Sequence, residues 1–67
     1  MNVETIGIAA GKVWAFLSEN GESSRADLKK GIEDIDDFAL AAAIGWLARE
    51  DKIAFTKAGR SFGIVLK

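Results

Sequence analysis

The side chains here that could do chemistry are carboxylates, cationic groups and a few hydroxyls. The 67 residues include no histidine and no cysteine, the types most often used as general base and as thiolate nucleophile. Without them no thiolate or imidazole metal site can be built. The hydroxyls of Thr5, Ser18, Ser23, Ser24, Thr56 and Ser61 have no base at a recognisable spacing. The run Glu33-Asp34-Ile35-Asp36-Asp37 has the oxygens a hard cation wants, but lacks the alternating ligands and central glycine of a calcium loop. The same residues read as a helix N-cap with acids at the positive end of the helix. No glycine cluster sits between a strand and a helix to cradle phosphate. The expectation is a non-enzyme with no catalytic residue, metal, cofactor or small-molecule substrate.

Charge points elsewhere. The net charge is −1, yet residues 1–51 carry ten acids against five bases, a net −5. Residues 52–67 carry Lys52, Lys57, Arg60 and Lys67 with no acid, a net +4. A pI near 5.2 is far from the basic footprint of a nucleic-acid binder, so only the C-terminal segment keeps that role open. No apolar run approaches the roughly 20 residues of a membrane span, and the acidic N-terminus lacks a basic n-region. A cytoplasmic protein without membrane contact is expected, folded as one domain over residues 1–67.

The elements that would position these groups follow from periodicity. Ile6, Ala9, Ala10, Val13, Phe16 and Leu17 share a helical face from about Glu4 to Glu19, with Asn2 or Thr5 as cap and Asn20-Gly21 supplying a left-handed stop. Ser24 and Asp27 stand in capping-box spacing for a short second helix around Leu28 that ends near Gly31. Asp36 is the N-cap of a third helix running to about Glu50, with Ile35 and Leu40 in staple positions and Leu40, Ile44 and Leu47 inside. Ile53 and Phe55 then share one face of a strand, and Phe62, Ile64 and Leu66 share one face of another. Lys57-Ala58-Gly59-Arg60 turns between them.

This order predicts an α+β winged helix-turn-helix, three helices followed by a C-terminal two-stranded hairpin, the wing. More closely, Ile6-Gly7-x-x-Ala10-Gly11-x-Val13-Trp14 and Ile44-Gly45-Trp46-Leu47-Ala48-Arg49-Glu50-Asp51-Lys52-Ile53 resemble a family of very small bacterial and archaeal winged helix-turn-helix proteins of unknown function. The resemblance spans nearly the whole chain. It implies the fold and a soluble cytoplasmic setting, and carries over no activity, ligand or site.

In such folds the third helix reads base edges in the major groove, which needs Arg, Lys, Asn, Gln or Ser/Thr on its outer face. At about 100° per residue that face carries Phe38, Ala42, Gly45, Trp46 and Arg49, flanked by Ala39 and Ala41, and its entrance carries Asp36 and Asp37. Base reading by this helix is not expected. Arg49, Lys52, Lys57 and Arg60 remain as phosphate contacts for a non-specific DNA-associated regulator. They equally suit a charged tip that keeps a hairpin soluble.

A helix apolar on every side is normally buried on every side. Phe38 and Trp46 beside Ala42 suit a patch covered by a partner protein, and Gly7, Gly11 and Ala15, with Ile8 beside them, would let a second helix approach the first one closely. The expected interface residues are Phe38, Ala42, Trp46, Ile8, Gly11 and Ala15, in a homodimer or with another protein. The alternative is that Trp14 and Trp46 only cap the edge of the core.

Overall fold

The computed structural model describes residues 2–58 and 61–67. Its elements are α1 (Val3–Asn20), α2 (Arg25–Gly31), α3 (Asp37–Arg49), β1 (Ile53–Ala58) and β2 (Ser61–Leu66). Each helix starts on a side-chain cap. Asn2 accepts the Thr5 N–H. Ser24 and Asp27 form a reciprocal capping box, at 3.0 and 3.1 Å. Asp36 accepts the Ala39 N–H at 2.7 Å. These bonds satisfy amides that a helix start would otherwise leave unpaired.

The helix ends are less regular. Gly21 has the positive φ expected of a stop, 75°, but its ψ of −157° is extended rather than left-handed helical. The reason is where the chain goes next. Ser23 pairs with Ile64, donating to its carbonyl at 3.0 Å and accepting from its N–H at 2.8 Å. The chain therefore leaves α1 straight into an extra bridge on the outer edge of β2. After α3, Asp51 takes φ 60°, while the Lys52 N–H reaches the Leu47 carbonyl and the Asp51 N–H reaches that of Ala48, each at 3.0 Å. That is a Schellman ending with aspartate where glycine is usual.

β1 and β2 are antiparallel, with Ile53 opposite Leu66 and Phe55 opposite Ile64. The core joins Ala9, Ala10, Val13 and Leu17 of α1 to Leu28, Ile35, Leu40, Ala43, Ile44, Leu47, Ile53 and Ile64. Ala43 belongs to this inner face, one residue more than the third-helix pattern assigned. α1 lies along α3, and the base of the hairpin closes the end of the core.

Two glycines make close packing possible. A β-carbon on Gly31 would lie 2.2 Å from Cε2 of Phe16, so the bare backbone is what admits the ring against α2. On Gly63 a β-carbon would lie 2.5 Å from a Glu22 carboxylate oxygen. That gap lets Glu22 reach over β2 and accept the Thr56 hydroxyl at 3.0 Å.

Candidate interaction surface

The outer face of α3 is built by the same turn-by-turn geometry that buries Leu40, Ala43, Ile44 and Leu47. Residues pointing the other way are Phe38, 72% exposed, with Ala41, Gly45 and Arg49, also exposed. Nothing lies within 4 Å of the place where a Gly45 β-carbon would be. The face is thus a phenyl ring, a shallow small-residue floor and one guanidinium at the C-terminal end. At its entrance Asp36 is occupied as the cap, and Asp37 stands 3.8 Å from Arg25 in an exposed pair. Exposed pairs of this kind contribute little.

Trp46 and Ala42 do not lie on the open centre of that face. Both are half-buried, and the Trp46 side chain packs against the core. Trp46 sits roughly 60–100° round from Gly45 and Arg49, on the flank of α3 that turns toward α1. Gly7 and Gly11 carry no side chains there, so a shallow cleft of about 260 Å³ opens between the helices, lined by Gly7, Ala10, Gly11, Trp14, Trp46, Leu47 and Lys52. A wheel drawn for α3 alone places Trp46 outward. The glycines of the neighbouring helix are what give it an edge to lie on.

The six expected interface residues therefore fall in four places. Gly11 and Trp46 share the cleft. Phe38 and Ala42 lie on α3, toward its entrance. Ile8 is exposed on the far side of α1, and Ala15 lines a depression with Lys12, Phe16, Glu19 and Gly31. The nucleic-acid candidates are divided as well. Arg49 is exposed at the end of α3 and Lys57 toward the wing tip. Lys52 edges the cleft at the wing's base, next to Lys67, whose ammonium pairs with Asp51. Arg60 and Gly59 lie outside the described residues.

Sequence reasoning missed one feature of the wing. Phe55 and Phe62 share the apolar face with Ile53, Ile64 and Leu66, yet they are 52% and 46% exposed. Their rings meet edge-to-face, centroids 5.7 Å apart at 76°, a favourable aromatic geometry. Alternation alone marks the face, and the lengths of the covering helices decide where burial stops.

A titration that the fold perturbs lies away from these surfaces. The Ser24 backbone N–H, and after it the Ser24 hydroxyl, hold the Asp27 carboxyl below its ordinary value, with a smaller contribution from Lys30. Among the described residues, no three acids converge as a metal site would require, and no helix is long and apolar enough to cross a membrane.

Three helices, a Ser23 bridge beside β2 and a two-stranded wing define a winged helix-turn-helix domain. The chain belongs to that family: the sequence model of the winged helix-turn-helix domain DUF2582 matches residues 1–66. It is also similar to an uncharacterized protein of Methanocaldococcus jannaschii, 42% identical over 64 residues that cover 92% of this chain and 90% of that protein. Both likenesses concern the fold, and neither attaches an activity to it.

Proposed function

We propose that this winged helix-turn-helix module acts through protein contacts, assembling as a homodimer, and performs no catalytic step. One observation carries the reading: the exposed face of α3 presents Phe38, Ala41 and Gly45 where a DNA reader needs hydrogen-bonding side chains, and Asp36 and Asp37 stand at its entrance. Phosphates approaching that end would meet two carboxylates. An apolar face rimmed by charge is instead what a protein partner covers. Size adds a reason, since a chain of this length buries only about 60% of its unfolded surface and association stabilises the folded form by mass action.

The runner-up reading is a DNA-associated regulator that touches phosphates through Lys57 and Arg60. Its support is that residues 52–67 carry four bases and no acid.

The test is solution mass by sedimentation equilibrium over a dilution series, with and without a duplex at low salt. The expected result is a concentration-dependent dimer that Phe38→Arg converts to a monomer of unchanged helical circular dichroism, with no shift on DNA. A monomer at every concentration, together with salt-sensitive duplex binding lost in Lys57→Glu, would replace this reading with the DNA one.

A further inference from the structure

We infer that the homodimer forms by docking the wing of each copy on the α2–α3 corner of the other, setting Phe55, Phe62 and Lys57 of one chain against Phe38, Asp36 and Asp37 of its twin. The inference rests on the self-association proposed above and names the surfaces that meet.

Two patches on the monomer ask for cover, and they are complementary. The wing patch is the outer part of an apolar sheet face whose base is already in the core. Ile53 and Ile64 are buried, whereas Phe55 and Phe62 run past the helices and remain about half exposed. Lys57 lies opposite Phe62 in the ladder, on the same face, and no residue from 52 to 67 is acidic.

The corner patch has the opposite sign. Glu33, Asp34, Asp36 and Asp37 are all exposed there, an acidic excess that Arg25, 3.8 Å from Asp37, and Lys29, beside Asp34 and Asp36, offset only in part. Phe38, the most exposed of the large apolar side chains described, follows immediately. Each patch thus has an aromatic centre and a charged rim, the arrangement of a protein–protein hot spot, and the rims attract.

The apolar centre of such a contact is small. Phenylalanine side chains bury about 150–250 Å² each, so the exposed parts of these three rings amount to roughly 350 Å² per copy. A two-fold pairing engages both patches of each copy, because residue i meets j and j meets i. The three rings make up under half of the ~800 Å² per partner of a standard interface, and the polar rims of both patches must supply the rest. A nucleic acid stacked on Phe55 and Phe62 would use only the wing, leaving Phe38 bare and its acids repelled. A second copy covers both patches with one kind of contact.

The test uses three full-length chains: wild type, Lys57→Glu and Asp37→Lys. Both positions are exposed and outside the core, and helical circular dichroism checks the fold of each variant. Taken alone, each variant places like charges at both contacts, so its dimer should weaken by roughly tenfold or more, about 1.4 kcal/mol. Mixed in equal amounts, the two should form a heterodimer of near wild-type affinity. One of its contacts then sets the introduced glutamate against the introduced lysine, and the other keeps the native pair of Lys57 and Asp37. Wild-type association should also weaken as salt rises from 0.05 to 0.5 M, a range over which rim charges become screened (about 10 Å Debye length at 0.1 M). A wild-type dimer indifferent to both substitutions and to salt overturns this inference and leaves the homodimer standing on another face. A monomer at all concentrations removes the homodimer as well. Binding of a poly-dT oligonucleotide that Phe55→Ser abolishes, without any self-association, assigns the wing to nucleic acid instead.

Discussion

The same substitution, glycine to alanine, should have opposite effects at two helix positions. Gly45 lies in the interior of α3 with nothing within 4 Å of a would-be β-carbon. Alanine there costs no packing and gains intrinsic helix propensity, about 0.8–1 kcal/mol. For a domain of this size that corresponds to a rise in Tm of roughly 4–8 °C. Gly31 closes α2, and the added carbon would sit 2.2 and 2.7 Å from Cε2 and Cζ of Phe16. The ring is rigid and packs on the core, so relief requires Phe16 or the end of α2 to move. Overpacking of this kind costs about 1–3 kcal/mol, more than the propensity gained at the last residue of a helix. The expected net loss is about 1–2 kcal/mol, a fall in Tm of roughly 5–15 °C. Thermal unfolding followed by circular dichroism at low micromolar concentration separates the two cases. Phe16→Leu should recover part of the Gly31→Ala loss if the ring is the cause. A Gly31→Ala chain more stable than wild type, or a Gly45→Ala chain less stable at high dilution, would refute this reasoning. The Gly45 result also bears on function. An exposed helix-interior glycine lowers monomer stability with no compensation inside the chain, as expected where another surface approaches the backbone. At concentrations where the protein associates, the gain from Gly45→Ala should shrink.

Three further outcomes follow from local geometry. Asp51→Gly should stabilise by about 0.5–1 kcal/mol, since aspartate at φ 60° carries a β-carbon that glycine lacks and the exposed Lys67 pairing it gives up is weak; Lys67→Ala measured alone isolates that contribution in urea titrations. Gly63→Ala would put a β-carbon 2.5 Å from a Glu22 carboxylate oxygen and 2.6 Å from the Thr56 hydroxyl, so it should cost at least their hydrogen bond, about 1 kcal/mol, and adding Glu22→Ala should then cost almost nothing more, a non-additivity that a double-mutant cycle reads directly. Because the folded-state value of Asp27 is lowered, its contribution is fully present above the ordinary carboxylate pKa of about 3.9 and is lost as pH falls through the folded value. The urea midpoint should therefore drop more steeply on the acid side in wild type than in Asp27→Asn, and equal slopes would rule this out.

What the sequence made legible is what depends on neighbours along the chain. Ser24 with Asp27, and Asp36, are caps whose partners lie three residues away, and both hold in the structure, while of Asn2 and Thr5, both open as the cap of α1, the structure takes Asn2. The helices and the winged helix-turn-helix order follow from the same short-range patterns, whereas the turn read at Lys57-Ala58-Gly59-Arg60 starts too early, since Lys57 and Ala58 pair with Phe62 and Ser61 in the ladder. Features that need a second element were harder to read. The Ser23 bridge involves one residue in a polar turn, with no alternation to announce it. Trp46 took its place from Gly7 and Gly11, far back in the chain and on another helix. Phe55 and Phe62 have the right face for a core, and only the reach of the helices shows that they lie beyond it. Ala43 was within reach, three residues from Leu40 and four from Leu47, but a run of alanines hides which one faces inward.

The acids that make α3 a good helix are also what set it apart from a reading helix. A helix N-terminus is ordinarily attractive to phosphate, because its free amides and dipole favour negative charge. Here the Asp36 carboxylate already accepts the Ala39 amide at 2.7 Å, and Asp37 adds a second negative charge in the first turn. The site that would draw a DNA backbone is thus filled by the protein's own anions, and the residues beyond it offer a phenyl ring and methyl groups rather than donors. Helix stability and phosphate affinity pull in opposite directions at this end, and the residues present favour the helix. At the start of α3 Arg25 stands 3.8 Å from Asp37, and residues 52–67 carry bases without any acid. The self-association proposed above would use this division of charge, setting the exposed aromatics and rim of one pole against those of the other.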